Sequence, residues 1–287
     1  MLKVKNLSKQ YKQNDFYSLK NVSFELEKGE VVGLIGNNGA GKTTLMKMIA
    51  KTMIPSSGTI EINDKNIRNS SNSLKNVNFM IEASFFNHIS AYENIKFYLT
   101  INKQNASKQQ IKDVMSLVNL WHVKNKKASQ FSFGMKQRLG LALCLASEPD
   151  IVIMDEPFVG LDPNGVSTLI NKLKNWAKEK QMSILISSHQ LSELEAICDR
   201  YLYLESGELK KSFNKRAQNV TIIHLANMVE EDISKKYEDT FVENNIVKTL
   251  LKDSDFSNLL SDLTKSNTIK SIEHQDYLKN VFKGEDE

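Results

Sequence analysis

The sequence predicts an α/β protein: a parallel sheet whose strands alternate with helices, with an antiparallel β subdomain at the start, a helical subdomain inserted midway and a small α+β appendage at the end. Three observations carry this. First, Val31, Val32, Leu34 and Ile35, then Ile151 to Met154, then Ile184 to Ile186 are short apolar runs without alternation, the pattern of strands covered on both faces. Second, helical periodicity separates them, as βαβ units require. Third, residues 1 to 30 alternate instead, with Leu2 and Val4, then Val22, Phe24 and Leu26 on one face and Ser23 and Glu25 on the other.

Taken in order, Lys28-Gly29 turns the alternating strands into the first buried strand. A helix is expected from Thr43 to Met53, a turn at Pro55-Ser-Ser-Gly58, and a strand at Thr59 to Ile62. Val77 to Ile81 is a further apolar stretch, ending at Glu82. Ser90-Ala-Tyr-Glu93 has the form of a capping box before Ile95, Phe97, Tyr98 and Leu99. A second helical pattern runs from Ile111 to about Trp121, so residues 84–148 read as mostly helical. The apolar helix of Leu139 to Ala146, the strand ending at Asp155-Glu156, a helix from about Asn164 to Lys180 and the strand of Ser183 to Ser188 complete the α/β part. From Gly207 the character changes. Val220 to Leu225 and Thr268 to Ile272 read as strands, and Phe256, Leu259, Leu260 and Leu263 share one helix face. The expected division is 1–210 and 211–287, with His224 and His274 as packing or surface residues.

The 287 residues carry 38 Lys and Arg against 34 Asp and Glu, and the resulting charge of +4 is too small to argue for a nucleic-acid partner. The longest apolar run, Leu139 to Ala146, is far short of the roughly 20 residues of a membrane span. No apolar leader opens the sequence, so a cytosolic chain is expected. Cys144 and Cys198 read as two buried thiols in a reducing compartment.

Chemistry concentrates in Gly36-Asn37-Asn38-Gly39-Ala40-Gly41-Lys42-Thr43-Thr44, between a strand and a helix. Its glycines let successive N–H groups turn around a phosphate, and the helix start adds unpaired amides and a positive dipole end. Lys42 is positioned to reach the β- and γ-phosphates and the Thr43 hydroxyl to ligate Mg²⁺. The expected ligands are therefore a nucleoside triphosphate and Mg²⁺, on a P-loop NTPase core of the RecA-like kind. Phosphoryl transfer to water needs two carboxylate roles. Asp155 at its strand end suits the metal, and Glu156 suits orienting or deprotonating water. His189, directly after the next strand, is placed near the γ-phosphate. Tyr11 can pack in the core or stack on the base.

In this order the phosphate loop, Phe131-Ser-Phe-Gly-Met-Lys-Gln-Arg138, Ile151-Val-Ile-Met-Asp155-Glu156, Gly160-Leu-Asp162 and Ser188-His189 resemble the nucleotide-binding subunit of an ATP-binding cassette (ABC) transporter, over residues 1 to about 210. The resemblance implies that Tyr11 stacks on adenine, that Ser132 and Gly134 belong to the signature loop, that Asp162 lies in the loop crossing between subunits and that His189 is the switch histidine. Two departures stand out: Phe133 replaces a signature glycine, and Glu82 stands where a glutamine is usual, as sensor of Mg²⁺ or attacking water. With the form of the signature, Glu82 resembles the bacitracin-resistance and lantibiotic-immunity branch of bacterial exporters, with the peptide-exporting branch nearby.

One set of motifs implies a second chain, expected to be an identical copy closing head to tail over two ATP molecules, and a separate integral-membrane permease. The protein would sit on the inner face of the bacterial cell membrane and power peptide export. Export of a drug, polysaccharide or lipid, or a soluble cassette acting on ribosomes or DNA, are the alternatives. A kinase would leave the Ser132 loop and His189 without a task.

Overall fold

The computed structural model describes residues 1–12, 15–69, 72–82, 84–104, 106–214, 219–229, 232–237, 240–249, 251 and 253–276. They form two compact units, Met1–Phe213 and Asn214–Glu287.

In the first unit β1 (Leu2–Gln10) and β2 (Tyr17–Leu26) pair antiparallel, and β2 buries Leu19, Val22, Phe24 and Leu26, the face read from its alternation. β3 (Val31–Ile35) is buried throughout and leads through the phosphate loop into α1 (Lys42–Ile49). That helix is shorter than its apolar pattern suggests. Lys51 takes a left-handed backbone (φ 59), and the amides of Thr52 and Met53 both close on Lys47 O, which stops the helix before Met53. β4 (Ser57–Ile62) and β5 (Lys65–Asn66) follow. Asn63 and Asp64, both at positive φ, form the two-residue turn between them. These strands make a sheet of order β2-β1-β4-β5. Its inner face, α1 and the central sheet share one core, in which Leu2, Val4, Phe24, Val32, Leu34, Leu45, Met46, Ile49 and Ile153 are all buried. Each such side chain stabilises the fold by roughly 1.5–3 kcal/mol relative to exposure.

β6 (Val77–Met80) precedes the helical insertion of α2 (Ala91–Ile101), α3 (Lys108–Leu117) and α4 (Phe133–Leu145). The capping box is present: Ser90 Oγ accepts the Glu93 amide, and Glu93 Oε2 accepts the Ser90 amide at 2.8 Å. Ser132 caps α4, starting it six residues before the apolar run that signals it. Asn78 of β6 ties the insertion down. It accepts from Tyr98 Oη (2.9 Å) and donates to Cys144 O (2.6 Å) and Ser147 Oγ (2.7 Å). Both cysteines are buried and neither forms a disulfide, and burial pushes the Cys144 thiol up to about 12.

β7 (Ile151–Asp155), α5 (Pro163–Lys180), β8 (Ser183–Ser187), α6 (Leu191–Ile197), β9 (Arg200–Glu205) and β10 (Glu208–Asn214) complete the central sheet, of order β10-β9-β3-β8-β7-β6. β6, β7, β8, β3 and β9 run parallel. Because β3 lies between β8 and β9, the sheet has its switch point beside the phosphate loop, where ligands of such sheets bind. In register, Leu34 pairs with Ser187, and Ser187 with Asp155, so three chemically informative strand ends stand side by side.

In the second unit β11 (Asn219–Leu225), α7 (Asp232–Lys236), β12 (Thr240–Glu243), β13 (Ile246–Thr249), α8 (Asp253–Ser266) and β14 (Ile269–Asp276) give an antiparallel sheet of order β12-β13-β11-β14. This is the β-α-β-β-α-β split arrangement. Leu259 and Leu263 pack on Ile223, Leu225 and Val247, with Phe256 and Leu260 beside them, as the spacing on α8 requires. His224 Nε2 lies 3.9 Å from Glu273 Oε1, and the His274 side chain is outside the described residues.

Ser90→Ala removes the hydroxyl that accepts the Glu93 amide and donates to Glu93 Oε2, a cap worth about 1 kcal/mol. The first turn of α2 should then exchange its amide protons roughly five times faster, measured by hydrogen–deuterium exchange. Unchanged exchange would show that the Asn78 network alone holds the helix.

Candidate functional site

The site begins with the backbone. A Cβ on Gly36 would lie 2.1 Å from Leu204 O, so only glycine lets β3 leave the sheet there. Gly41 sits at φ 105, and its Cβ would come 2.6 Å from Ser18 O, which keeps the start of α1 tight against β2. The resulting hollow, about 240 Å³, is lined by Ser18, Asn37 to Thr44, Asp155, Glu156 and His189. Residues 37–44 of the phosphate loop are thus brought together with both carboxylates and the histidine.

Lys42 is buried, and its Nζ donates to Gly36 O (2.5 Å) and Asn37 O (3.3 Å). Burial pulls its ammonium below the usual lysine range, while Glu156 and then Asp155 draw it back up. Thr43 Oγ1 donates to Asp155 Oδ2 at 2.6 Å, and Ser187 Oγ donates to Asp155 Oδ1 at 2.5 Å. The carboxylate is therefore fixed between the phosphate loop and β8.

Glu156 follows at φ 52, an uncommon backbone for a side chain of this size. Its amide donates to Ser187 O and Ser187 Oγ, both at 3.2 Å, which hold it in that conformation. Its Oε2 accepts the His189 amide at 3.2 Å. Oε1 is buried and accepts no hydrogen bond, although His189 Nε2 is 3.3 Å away. An oriented, unsatisfied carboxylate oxygen beside a phosphate loop is suited to taking a proton from water.

The donor set fits Mg²⁺. Thr43 Oγ1 and Asp155 are hard oxygens at the helix start, and this ion is ordinarily held by one or two carboxylates, hydroxyls and the phosphates of its substrate.

The remaining sequence-predicted residues stand outside the hollow. Tyr11 is 37% exposed, with its hydroxyl 3.4 Å from Met53 Sδ and Lys9 Nζ 5.3 Å from its ring centre. Ser132 caps α4 at the surface, and the Cα of Gly134 packs against Gly160, where even one added Cβ would come within 2.7 Å. Asp162 Oδ1 accepts the Gly165 amide at 2.7 Å as the cap of α5. Glu82 also lies outside the hollow: its Oε1 accepts Lys47 Nζ at 2.6 Å with the side chain 74% exposed, because α1 presents a lysine on that face. Ser18, in the wall of the hollow, and Ser187, bonded to Asp155, carry no signal in the sequence, because the register that sets Ser187 against Asp155 arises only in the sheet.

A phosphate loop on this sheet, with these strand ends, defines a P-loop ATPase of the cassette type. The chain belongs to the ABC transporter family, whose sequence pattern matches residues 19–159. Among its relatives is the bacitracin transport ATP-binding protein BcrA of Enterococcus faecalis, 35% identical over 75% of this chain and 69% of that protein. The lantibiotic transport ATP-binding protein SrtF of Streptococcus pyogenes is 37% identical over 73% of this chain and 89% of its own. The methionine import ATP-binding protein MetN 1 of Bacillus thuringiensis is 34% identical over 73% of this chain and 65% of its own. Among solved structures, the dimeric cassette MJ0796 with ADP and Pi superposes with a TM-score of 0.69, at 25% identity, over 75% of this chain and 99% of that one. The chain is thus the ATP-binding and ATP-hydrolysing subunit of a transporter. Among its described residues no helix is long and apolar enough to cross a membrane.

Lys42→Met should abolish the stabilisation by ATP, which for the parent chain would be about 2.7 kcal/mol at a hundredfold excess over Kd. Because the folded chain holds the Lys42 proton less tightly than the unfolded chain, losing that buried charge should leave the nucleotide-free melting temperature equal or higher. Thermal unfolding with and without ATP checks both, and a retained ATP shift would remove Lys42 from the phosphate site.

Proposed function

We propose that this chain powers a bacterial exporter of antimicrobial or amphipathic peptides. The observation that carries the catalytic part is the pairing of Asp155, fixed by Thr43 and Ser187, with Glu156, which lines the same hollow and whose Oε1 accepts no hydrogen bond. In the proposed reaction Lys42 and the loop amides hold the β- and γ-phosphates, and Thr43 and Asp155 hold Mg²⁺. Bound Mg²⁺ offsets the charge gathering on the phosphate oxygens. Glu156 takes a proton from water as its oxygen bonds to the γ-phosphorus and the bond to the bridging oxygen breaks, giving ADP and phosphate. His189, against Glu156, keeps that carboxylate aimed.

Ser132, Gly134 and Asp162 lie outside their own chain's hollow, which supports the assignment of a second, identical copy to supply them head to tail. Tyr11 is assigned to the adenine, an assignment supported by its partial exposure. Glu82 is assigned to sensing the permease and the metal, with Lys47 as its resting partner.

The helical insertion carries an apolar surface suited to the permease. Phe86, Phe97 and Ile101 are 46%, 45% and 58% exposed, and the Phe86 and Phe97 rings meet edge to face at 5.1 Å. Asn94, buried, grips both the amide and the carbonyl of Phe86 and so presents its ring outward. A cytoplasmic loop of the permease docking there places this chain on the inner face of the cell membrane. The peptide cargo is supported by the bacitracin and lantibiotic transport relatives, and the separate permease would select it.

Glu156→Gln should lower turnover about a hundredfold or more with ATP affinity nearly unchanged. Purified with ATP from detergent-solubilised membranes of its host, this variant should bring a polytopic membrane protein with it. Wild-type hydrolysis would overturn the role of Glu156, and recovery of ribosomes or DNA-repair proteins without a membrane protein would overturn the transport assignment.

A further inference from the structure

Glu193, in α6, is buried at 7% exposure and takes no part in the constellation described above. Its Oε2 accepts the Ser188 hydroxyl at 2.6 Å. Ser188 is buried too, and the same Oγ accepts the Gln190 amide at 3.1 Å. A hydroxyl has one proton to give. With that proton directed to Glu193, its lone pairs are left aimed at Gln190, so both neighbours of His189 are tied to one carboxylate. Between them His189 donates its amide to Glu156 Oε2 at 3.2 Å, and its Nε2 lies 3.3 Å from Oε1.

A carboxylate is a costly way to hold a surface loop. Burial pushes the Glu193 carboxyl up, the Ser188 hydrogen bond opposes this, and the nearby charge of Glu156 adds to the rise. An apolar residue would fill the same place in α6 beside buried Leu194 and Ile197 without that cost. What only an acceptor at this position can do is orient Ser188.

We propose that Glu193 is a positioning residue for ATP hydrolysis: through Ser188 it sets the loop that presses His189 against Glu156. This rests on the roles of Glu156 and His189 given under the proposed function. In this arrangement neither Glu193 nor Ser188 touches ATP, so both act on the chemical step and not on binding.

The test is steady-state ATP hydrolysis and ATP binding by the full chain carrying Glu193→Ala, Glu193→Gln or Ser188→Ala, with Glu193→Ala repeated on a His189→Ala background and Glu156→Gln measured alongside. Glu193→Ala and Ser188→Ala should each lower kcat about tenfold or more, since small misplacements of catalytic groups cost on this scale. The Kd for ATP should stay within about twofold. Glu193→Gln keeps an acceptor for Ser188 and should recover most of the turnover. On the His189→Ala background Glu193→Ala should cost nothing further, because the two act in series. Wild-type kcat in both Glu193→Ala and Ser188→Ala would overturn the inference. So would a loss that persists without His189, or a Glu193→Gln as slow as Glu193→Ala. If Glu193→Ala fails to fold, Ser188→Ala, which removes one hydroxyl, decides alone. Should Glu156→Gln itself hydrolyse ATP normally, the catalytic assignment fails and takes this inference with it. A slow Glu156→Gln beside fast Glu193→Ala and Ser188→Ala would defeat the inference only.

Discussion

Asp155 is held from two sides, by the Thr43 hydroxyl on one oxygen and the Ser187 hydroxyl on the other, and the geometry of the site depends on that double grip. It exists because β3, β8 and β7 are neighbours in one parallel sheet, in a register that sets Ser187 across from both Leu34 and Asp155. The same Ser187 then holds the Glu156 amide, so the strained turn at the end of β7 is braced by the strand beside it. Strain at such a position persists only when the surroundings over-determine it. Here a sheet, two hydroxyls and a histidine amide do so.

Those hydrogen bonds lie at the edge of a continuous apolar core. α1 begins at the phosphate loop and buries Leu45, Met46, Met48 and Ile49 in the cluster that joins both sheets. Moving Thr43 away from Asp155 would therefore disturb close-packed side chains, which resist small shifts. The helical insertion is joined differently, through a polar network of Asn78, Tyr98, Cys144 O and Ser147. A joint of this kind suits a subdomain that passes motion between a permease and the ATP site.

Much of this was legible in the residues. The phosphate loop, the two carboxylates and His189 are brought to one hollow because each follows a buried strand, and a run such as Ile151 to Met154 announces both the strand and its end. The capping box at Ser90 and the helix face of Leu259 and Leu263 were equally local signals. What was not legible depended on distant pairing. Glu82 turns to Lys47, 35 positions away, because of which face α1 happens to present. Ser187 and Glu193 matter only through neighbours that register and burial supply. The early end of α1 rests on Lys51 adopting a left-handed backbone, which a lysine rarely signals.

The central claim is that ATP joins two copies of this chain, with Ser132 and Gly134 of one meeting the phosphate loop of the other. Light scattering on the full-length Glu156→Gln chain, with and without ATP and Mg²⁺, tests it most directly. The account predicts the mass of one chain without nucleotide and twice that mass with it, the doubling lost when Ser132 is replaced by a bulky arginine. A chain that binds ATP yet keeps the mass of a single copy at every concentration would contradict it.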